Sequence, residues 1–333
     1  MPAMTRSLAV WLAALTLSGT MAAMVLAGAA KAQEERGMER EVMVDGGAAP
    51  LHGALLTGSP ARPGPAVLMI AGSGPTDRDG DSLDASVRPA NLKLIAEGLA
   101  AAGVPSLRYD KRGLAKSAPA MVRESDLRFT TYVDDAVAFA RFLKAQPNVT
   151  CVILLGHSEG ALIAALAAQK VPTCGVIEVS GIGRPLGVVL REQFAAQPLP
   201  PAMRAQVETA LTDLEHGRET PTIPGLERMF RPAIQPYLIS QVSLDPAQAL
   251  AAVKAPVLIL QGDNDLQVQV EDAQRLHAAR PDAKLVIVPG MNHVLKAAPS
   301  DRAGNIATYA DPNLPLAPGV MPAILEFVKS VKR

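Results

Sequence analysis

Cysteine is nearly absent from this chain: only Cys151 and Cys174 occur in 333 residues. Zinc needs a cluster of thiolate or imidazole ligands, and neither cysteine has one near it in sequence, which argues against a zinc centre. Net charge is lacking too, since 32 Lys and Arg balance 32 Asp and Glu. Such a chain offers no general electrostatic attraction for nucleic acid or acidic lipid. Internal repeats and low-complexity tracts are also missing. The length suits one large α/β domain with room for an inserted subdomain, and it is enough to bury a substantial core.

What is present begins with an export pattern. Arg6 supplies a positive n-region, Leu8 to Leu26 is almost wholly apolar, and Ala30-Lys31-Ala32 is a small-x-small cleavage site. No cysteine lies near that site to carry a lipid. Residues 1–32 therefore read as a cleaved signal peptide and the protein as periplasmic or secreted, without stable membrane insertion afterwards. An uncleaved anchor is the alternative. Removing the segment takes away Arg6 and Lys31 and no acid, leaving two more acids than bases. In an oxidising compartment Cys151 and Cys174 can form a disulfide, because each begins a strand and the two strands are expected to be neighbours. Two buried, inert thiols are the other reading.

Apolar runs of strand length alternate with helix-period segments along the chain. Glu41–Val44 and Leu51–Leu56 read as an opening hairpin, and Ala66–Ala71, Val104–Tyr109, Cys151–Leu155, Cys174–Ser180, Pro256–Gln261 and Lys284–Pro289 as further strands. Helices are expected at Arg88–Ala102, Tyr132–Ala145, Ala161–Lys170, Glu271–Ala279 and Pro322–Val331. Near-continuous apolar strands separated by helices imply a mostly parallel sheet covered on both faces. Residues 183–246 break the rhythm with helical, Pro-rich stretches (186–194, 201–216 and 224–240) and no strand. An insertion after the sixth strand would stand over the C-terminal sheet edge, where open α/β folds bind ligands. The expected division is a signal peptide at 1–32, a core at 33–182 and 247–333, and a helical cap at 183–246.

The chemistry is carried by Gly156-His157-Ser158-Glu159-Gly160, between the Cys151 strand and the Ala161 helix. A G-x-S-x-G turn in that setting is a nucleophile elbow, which pushes a serine hydroxyl out of the sheet edge. Its backbone is strained, and a Cβ at either flanking glycine would collide with the neighbouring strand or helix. A serine hydroxyl needs a base, and the base an orienting acid; both should follow the elbow, acid first, on loops after later strands. Asp263 and Asp265 follow the Pro256 strand, and His293 follows the Lys284 strand. His52, His157, His216 and His277 are weaker candidates for the base, from their placement in a hairpin, beside the nucleophile, in the cap stretch and within a helix.

With Gly72–Gly80, Arg108–Ser117, Gly156–Gly160, Gln261–Asp265 and Met291–His293 quoted together, the chain resembles the α/β-hydrolase superfamily over nearly all of 38–333. The exported esterases of its dienelactone-hydrolase-like branch are the nearest likeness. The resemblance implies an α/β-hydrolase fold with a mostly parallel sheet of about eight strands and a helical cap after strand six. It selects Asp265 over Asp263 as the acid, beside Ser158 and His293. It also implies an oxyanion hole from the Glu159 and Ser73 amides, with Ala71 standing where the family usually has histidine. Asp110-Lys111-Arg112-Gly113 matches a D-x-R-G turn in which an Asp–Arg pair stiffens the loop after the fourth strand. Asp77–Asp81 looks like a calcium loop, but Ser82 and Arg88 hold the positions where an EF-hand requires Gly and Glu, so it reads as a solvated loop near the site's mouth.

The expected activity is hydrolysis of a small-molecule ester or acyl substrate through an acyl-enzyme, with no cofactor and no metal. An aminopeptidase or amidase on the same triad is the alternative, and a non-catalytic binding module a third, because a fold alone does not settle chemistry. Acyl and alcohol preference and oligomeric state are not readable from the sequence.

Overall fold

A computed structural model describes residues 38–58, 63–83 and 86–331, so the signal-peptide expectation for 1–32 lies outside the described residues. Eight strands form one sheet: β1 (Glu39–Val44), β2 (Leu51–Leu56), β3 (Gly64–Ile70), β4 (Ser106–Tyr109), β5 (Val149–His157), β6 (Gly175–Val179), β7 (Val257–Gly262) and β8 (Lys284–Val288). Their order is β1-β2-β4-β3-β5-β6-β7-β8. β2 pairs antiparallel with β1 and β4, and every later pairing is parallel. This is an α/β-hydrolase architecture, with helices on both faces.

The helices follow in chain order: α1 (Asn91–Ala101), α2 (Phe129–Lys144), α3 (Glu159–Ala167), α4 (Leu186–Ala195), α5 (Pro201–Glu215), α6 (Glu227–Phe230), α7 (Gln235–Val242), α8 (Pro246–Ala251), α9 (Val270–Ala279), α10 (Arg302–Ala307) and α11 (Val320–Ser330). Strand side chains alternate between the two faces. Leu68, Ile70, Leu154 and Val176 pack with α2 and α3, while Val67, Met69, Ile153, Leu155 and Ile177 pack with α1 and α11. Both strand faces are apolar because both are covered, so the strands show no polar alternation.

The chain leaves β3 for β4 on one side and returns to β5 on the other. This reversal of winding opens a crevice at the C-terminal ends of β3 and β5. The loop after β3 and the turn after β5 meet there: a Cβ built on Gly72 would lie 3.2 Å from the Ser158 Cβ.

Between β6 and β7 the chain forms α4 to α8. Its entry is tied down by the buried Asp272 of α9, whose Oδ1 accepts from the Gly183 and Arg184 amides at 3.0 Å each. Asp272 also takes the Arg184 guanidinium at 3.0 and 2.8 Å. The stretch 224–240 is not one helix. Pro232 removes an amide donor and forces Arg231 to extended backbone (φ −64°, ψ 146°), so α6 ends and a 3-10 turn precedes α7.

Cys151 and Cys174 are disulfide-bonded, joining the start of β5 to the approach to β6 across 23 residues. Closing a loop of that length stabilises the fold by about 3 kcal/mol in the chain-entropy account.

Two loop expectations are corrected. Asp110 and Arg112 do not pair with each other. Asp110 receives Arg78 (2.9 and 2.5 Å), and Arg112 goes to Asp135 (3.1 and 2.6 Å) and to the Gly46 and Ala120 carbonyls (2.7 and 2.8 Å). Each finds a partner from another element, so the turn is stiffened by two links instead of one. The Asp77–Asp81 loop is half-buried, not solvated. Asp77 Oδ1 accepts from the Asp79 and Asp81 amides, and Asp79 takes the buried Arg108 at 3.0 Å. Its carboxylates are occupied by the protein itself.

Candidate active site

Ser158 sits between β5 and α3 with φ 54° and ψ −121°, a conformation an L-residue adopts only under strain. The flanking glycines make that turn possible. A Cβ at Gly156 would lie 2.0 Å from the Gly160 carbonyl oxygen, and one at Gly160 would lie 2.3 Å from that of Ile70. The first contact is with the outgoing helix and the second with strand β3, so neither tolerates a side chain. The Ser158 amide is held by the Val179 carbonyl of β6 at 2.9 Å.

His293 arrives on the turn after β8. Its Nε2 is 3.1 Å from Ser158 Oγ, and its Nδ1 is 2.8 Å from Asp265 Oδ2. A carboxylate only accepts, so Nδ1 carries the proton and donates it, leaving Nε2 to accept from the serine hydroxyl. Asp265 follows β7. Its Oδ1 accepts from the Gln267 and Val268 amides at 2.8 and 3.0 Å, and Gln261 Nε2 reaches Oδ2 at 3.2 Å. Burial alone would push the Asp265 carboxyl up, but the His293 charge, its hydrogen bond and the two amides together hold it below its ordinary value. Asp263 is elsewhere, accepting from the Gly290 amide at 2.6 Å in the turn that leads to His293.

Two supporting features escaped sequence reasoning. The first is His157, which abuts Ser158 but faces away from its hydroxyl. Its Nε2 donates to the His293 carbonyl at 2.8 Å. Burial first, then the neighbouring His293, pulls its pKa down to about 4, so it is a neutral donor that braces the His293 backbone. The second is Asn292, fully buried, which donates to Thr308 Oγ1 (2.7 Å) and Asn305 Oδ1 (3.1 Å), while Asn305 donates to the Asn264 carbonyl (2.8 Å). Helix α10 thus links the Asp265 loop to the His293 loop. The Asp301 cap before α10, whose side chain accepts from the Gly304 amide, was the signal that could have revealed it. His52 pairs with Glu41 and His216 bonds the Thr212 carbonyl; these two and His277 lie outside the site.

Ser158, His293 and Ser73 open into a cavity of about 520 Å³. Leu186, Val189, Leu190 and Leu238 from the segment between β6 and β7 line it opposite Met121 and Leu127. Glu159, the residue after the nucleophile, is buried at 9% exposure and lies with Lys111 against the same wall. Among the described residues no group of three or more His, Cys, Asp or Glu is placed to hold a metal ion.

Residues 67–307 match the alpha/beta hydrolase family, by far the larger part of the chain. The chain belongs to that family. Esterase EstD of Thermotoga maritima is 28% identical over 262 residues, a match covering 77% of this chain and 60% of EstD. The chain thus spans about three fifths of that relative's length. Among solved structures, Est1E from Butyrivibrio proteoclasticus superposes with a TM-score of 0.56 at 17% identity, covering 87% of this chain and 99% of Est1E. The alpha/beta hydrolase GrgF from Penicillium sp. sh18 gives 0.58 at 18% identity, covering 88% and 99%. At such identities the structural likeness shows the shared hydrolase fold.

Proposed function

We propose that this hydrolase cleaves carboxylic esters through an acyl-enzyme intermediate, with Ser158 as nucleophile, His293 as base and Asp265 as the acid that orients it. The observation that carries this reading is the unbroken hydrogen-bond line from Ser158 Oγ through His293 (3.1 Å) to the buried Asp265 (2.8 Å). Ser158 Oγ attacks the acyl carbon while His293 Nε2 takes its proton. The Ser73 and Glu159 amides receive the oxyanion, and His293 returns the proton to the departing alcohol. Water, activated by the same imidazole, then releases the acid. The scheme calls for no cofactor.

An ester is favoured over a peptide by the cavity's charges. An aminopeptidase must offer a free carboxylate to the substrate's ammonium, and the two acids lining the described cavity are both engaged. Glu124 takes the Arg231 guanidinium, and Glu159 faces Lys111 at 3.8 Å and Gln241 at 3.3 Å. The remaining wall is largely apolar, suited to the hydrocarbon part of a small ester. The test compares a short-chain p-nitrophenyl ester with an aminoacyl p-nitroanilide. The expected kcat/KM favours the ester by at least about 10²-fold, and a fluorophosphonate should label Ser158. Comparable turnover of the anilide would make the protein an amidase, and absence of both turnover and labelling would leave a binding module.

We also infer that the protein is exported, a reading supported by the signal-like first 32 residues and by the Cys151–Cys174 bond. In cell fractions the mature chain is expected outside the cytoplasm, with both cysteines resisting alkylation until a reductant is added. Recovery from the cytoplasm with two reactive thiols would reject it.

A further inference from the structure

We propose that Lys111 is a positioning residue of the oxyanion hole: its buried ammonium sets the direction of the Ser73 amide. The inference rests on the ester-hydrolase reading above and extends it to a residue outside the triad.

Lys111 lies just past β4 and is 1% exposed. Its Nζ donates to the Gly72 carbonyl at 2.5 Å and to the Gly74 carbonyl at 2.8 Å, and it stands 3.8 Å from Glu159 Oε1. The Tyr132 ring is 5.5 Å from the charge. Burying an ammonium is expensive unless its donors are satisfied, so this arrangement needs a compensating purpose. Two of its contacts go to the loop that carries a proposed oxyanion donor.

Peptide geometry gives those contacts a direction. In a planar trans peptide the C=O and N–H bonds point to opposite sides. The Gly72 carbonyl and the Ser73 amide belong to one such plane, so an ammonium gripping the carbonyl turns the N–H away from itself, in a loop that lies against Ser158, where a Cβ on Gly72 would come within 3.2 Å of the serine Cβ. Without the grip, Gly72, lacking a Cβ, would leave that plane free to rotate about its own ψ. The next carbonyl, Ser73 O, accepts from Thr76 Oγ1 at 2.8 Å, so the loop is anchored at three successive carbonyls.

The same charge touches the second donor's residue. The Glu159 amide is the other oxyanion donor, and the Glu159 carboxylate faces Lys111 on one side and Gln241 of α7 on the other. One buried ion pair therefore spans both halves of the oxyanion hole. Preorganised donors of this kind count in the transition state, where the oxyanion exists, and little in the ground state.

The test uses Lys111→Met in the full chain, which keeps the side chain's length and removes its charge and donors. Turnover of a short-chain p-nitrophenyl ester is measured beside the affinities for an aryl trifluoromethyl ketone, which forms an oxyanion when serine adds to it, and for the matching secondary alcohol, which does not. The expected result is a kcat about 10²-fold lower with KM changed by less than about threefold. The ketone should lose affinity by a similar factor while the alcohol keeps its own, and Lys111→Arg, which retains donors for two carbonyls, should recover to within about tenfold of wild type. A folded Lys111→Met enzyme with wild-type kcat, or equal losses for ketone and alcohol, overturns the proposal. If Lys111→Met does not fold, Lys111→Gln, which drops the charge and is too short to span both carbonyls, decides by the same pair of ligands: a loss confined to the ketone supports the role, and equal losses or none reject it. A wild-type protein that neither hydrolyses esters nor takes fluorophosphonate would sink the ester reading first, whereas an active wild type with an indifferent Lys111 sinks this inference alone.

Discussion

Ser158→Ala and His293→Ala are each expected to lower kcat for a short-chain aryl ester by about 10⁶, and the double variant by no more. The reason is that the groups act as one unit. With the imidazole gone, no other described side chain is hydrogen-bonded to Ser158 Oγ to take its proton, and with the hydroxyl gone the imidazole has no nucleophile to activate. Asp265→Asn should cost less, about 10⁴, because it leaves the serine and imidazole in place but an amide can turn its NH₂ toward Nδ1 and favour the wrong tautomer. All three side chains are replaced by smaller or equal ones, so thermal melting should remain cooperative. Activity is to be measured as initial rates per mole of folded protein, with concentration taken from absorbance. Losses that multiply in the double variant would mean that the residues act independently, contrary to the mechanism proposed.

A second large effect concerns stability. Glu178 lies in β6, 2% exposed, and burial pushes its carboxyl up to about 8 from an ordinary 4.5. A group whose folded value is raised stabilises most while it is protonated in both states, below pH 4.5. That stability fades as pH rises through 8, because the unfolded chain ionises first and the folded chain must hold its proton. At about 1.4 kcal/mol per pH unit, the full span corresponds to an upper bound of roughly 5 kcal/mol. Glu178→Gln keeps the size and the neutrality of the buried group without an ionisable proton. Wild type and variant should therefore melt alike at pH 4 to 5, while at pH 9 the variant should be more stable by a few kcal/mol. Taking the difference cancels other groups that titrate in that range, such as Lys296, which burial brings down to about 8. Denaturant titrations at several pH values provide the comparison, and parallel stability curves would show that Glu178 ionises in the fold without penalty.

Helix ends were the least legible part of the fold. Helix α1 begins at Asn91 and not at Arg88, and the stretch 224–240 is broken at Pro232. Helices α8 and α10 were passed over because six residues are too few to show a period, although Asp245-Pro246 carries a cap-and-proline start. Among the loops, the partners of Asp110 and Arg112 come from residues 32 and 23 positions away, which spacing cannot reveal.

The sequence by itself determined the strand-helix rhythm, the elbow that carries Ser158, and the loops that carry Asp263, Asp265 and His293. Those signals are local, since apolar periodicity and the glycines at 156 and 160 act through immediate neighbours in the chain. Only the tertiary structure decided that Asp265 and not Asp263 reaches the imidazole, that Cys151 and Cys174 bond, and that Lys111 grips the loop after β3. Each depends on which side of a sheet edge a loop delivers its side chain, and packing among distant segments sets that direction.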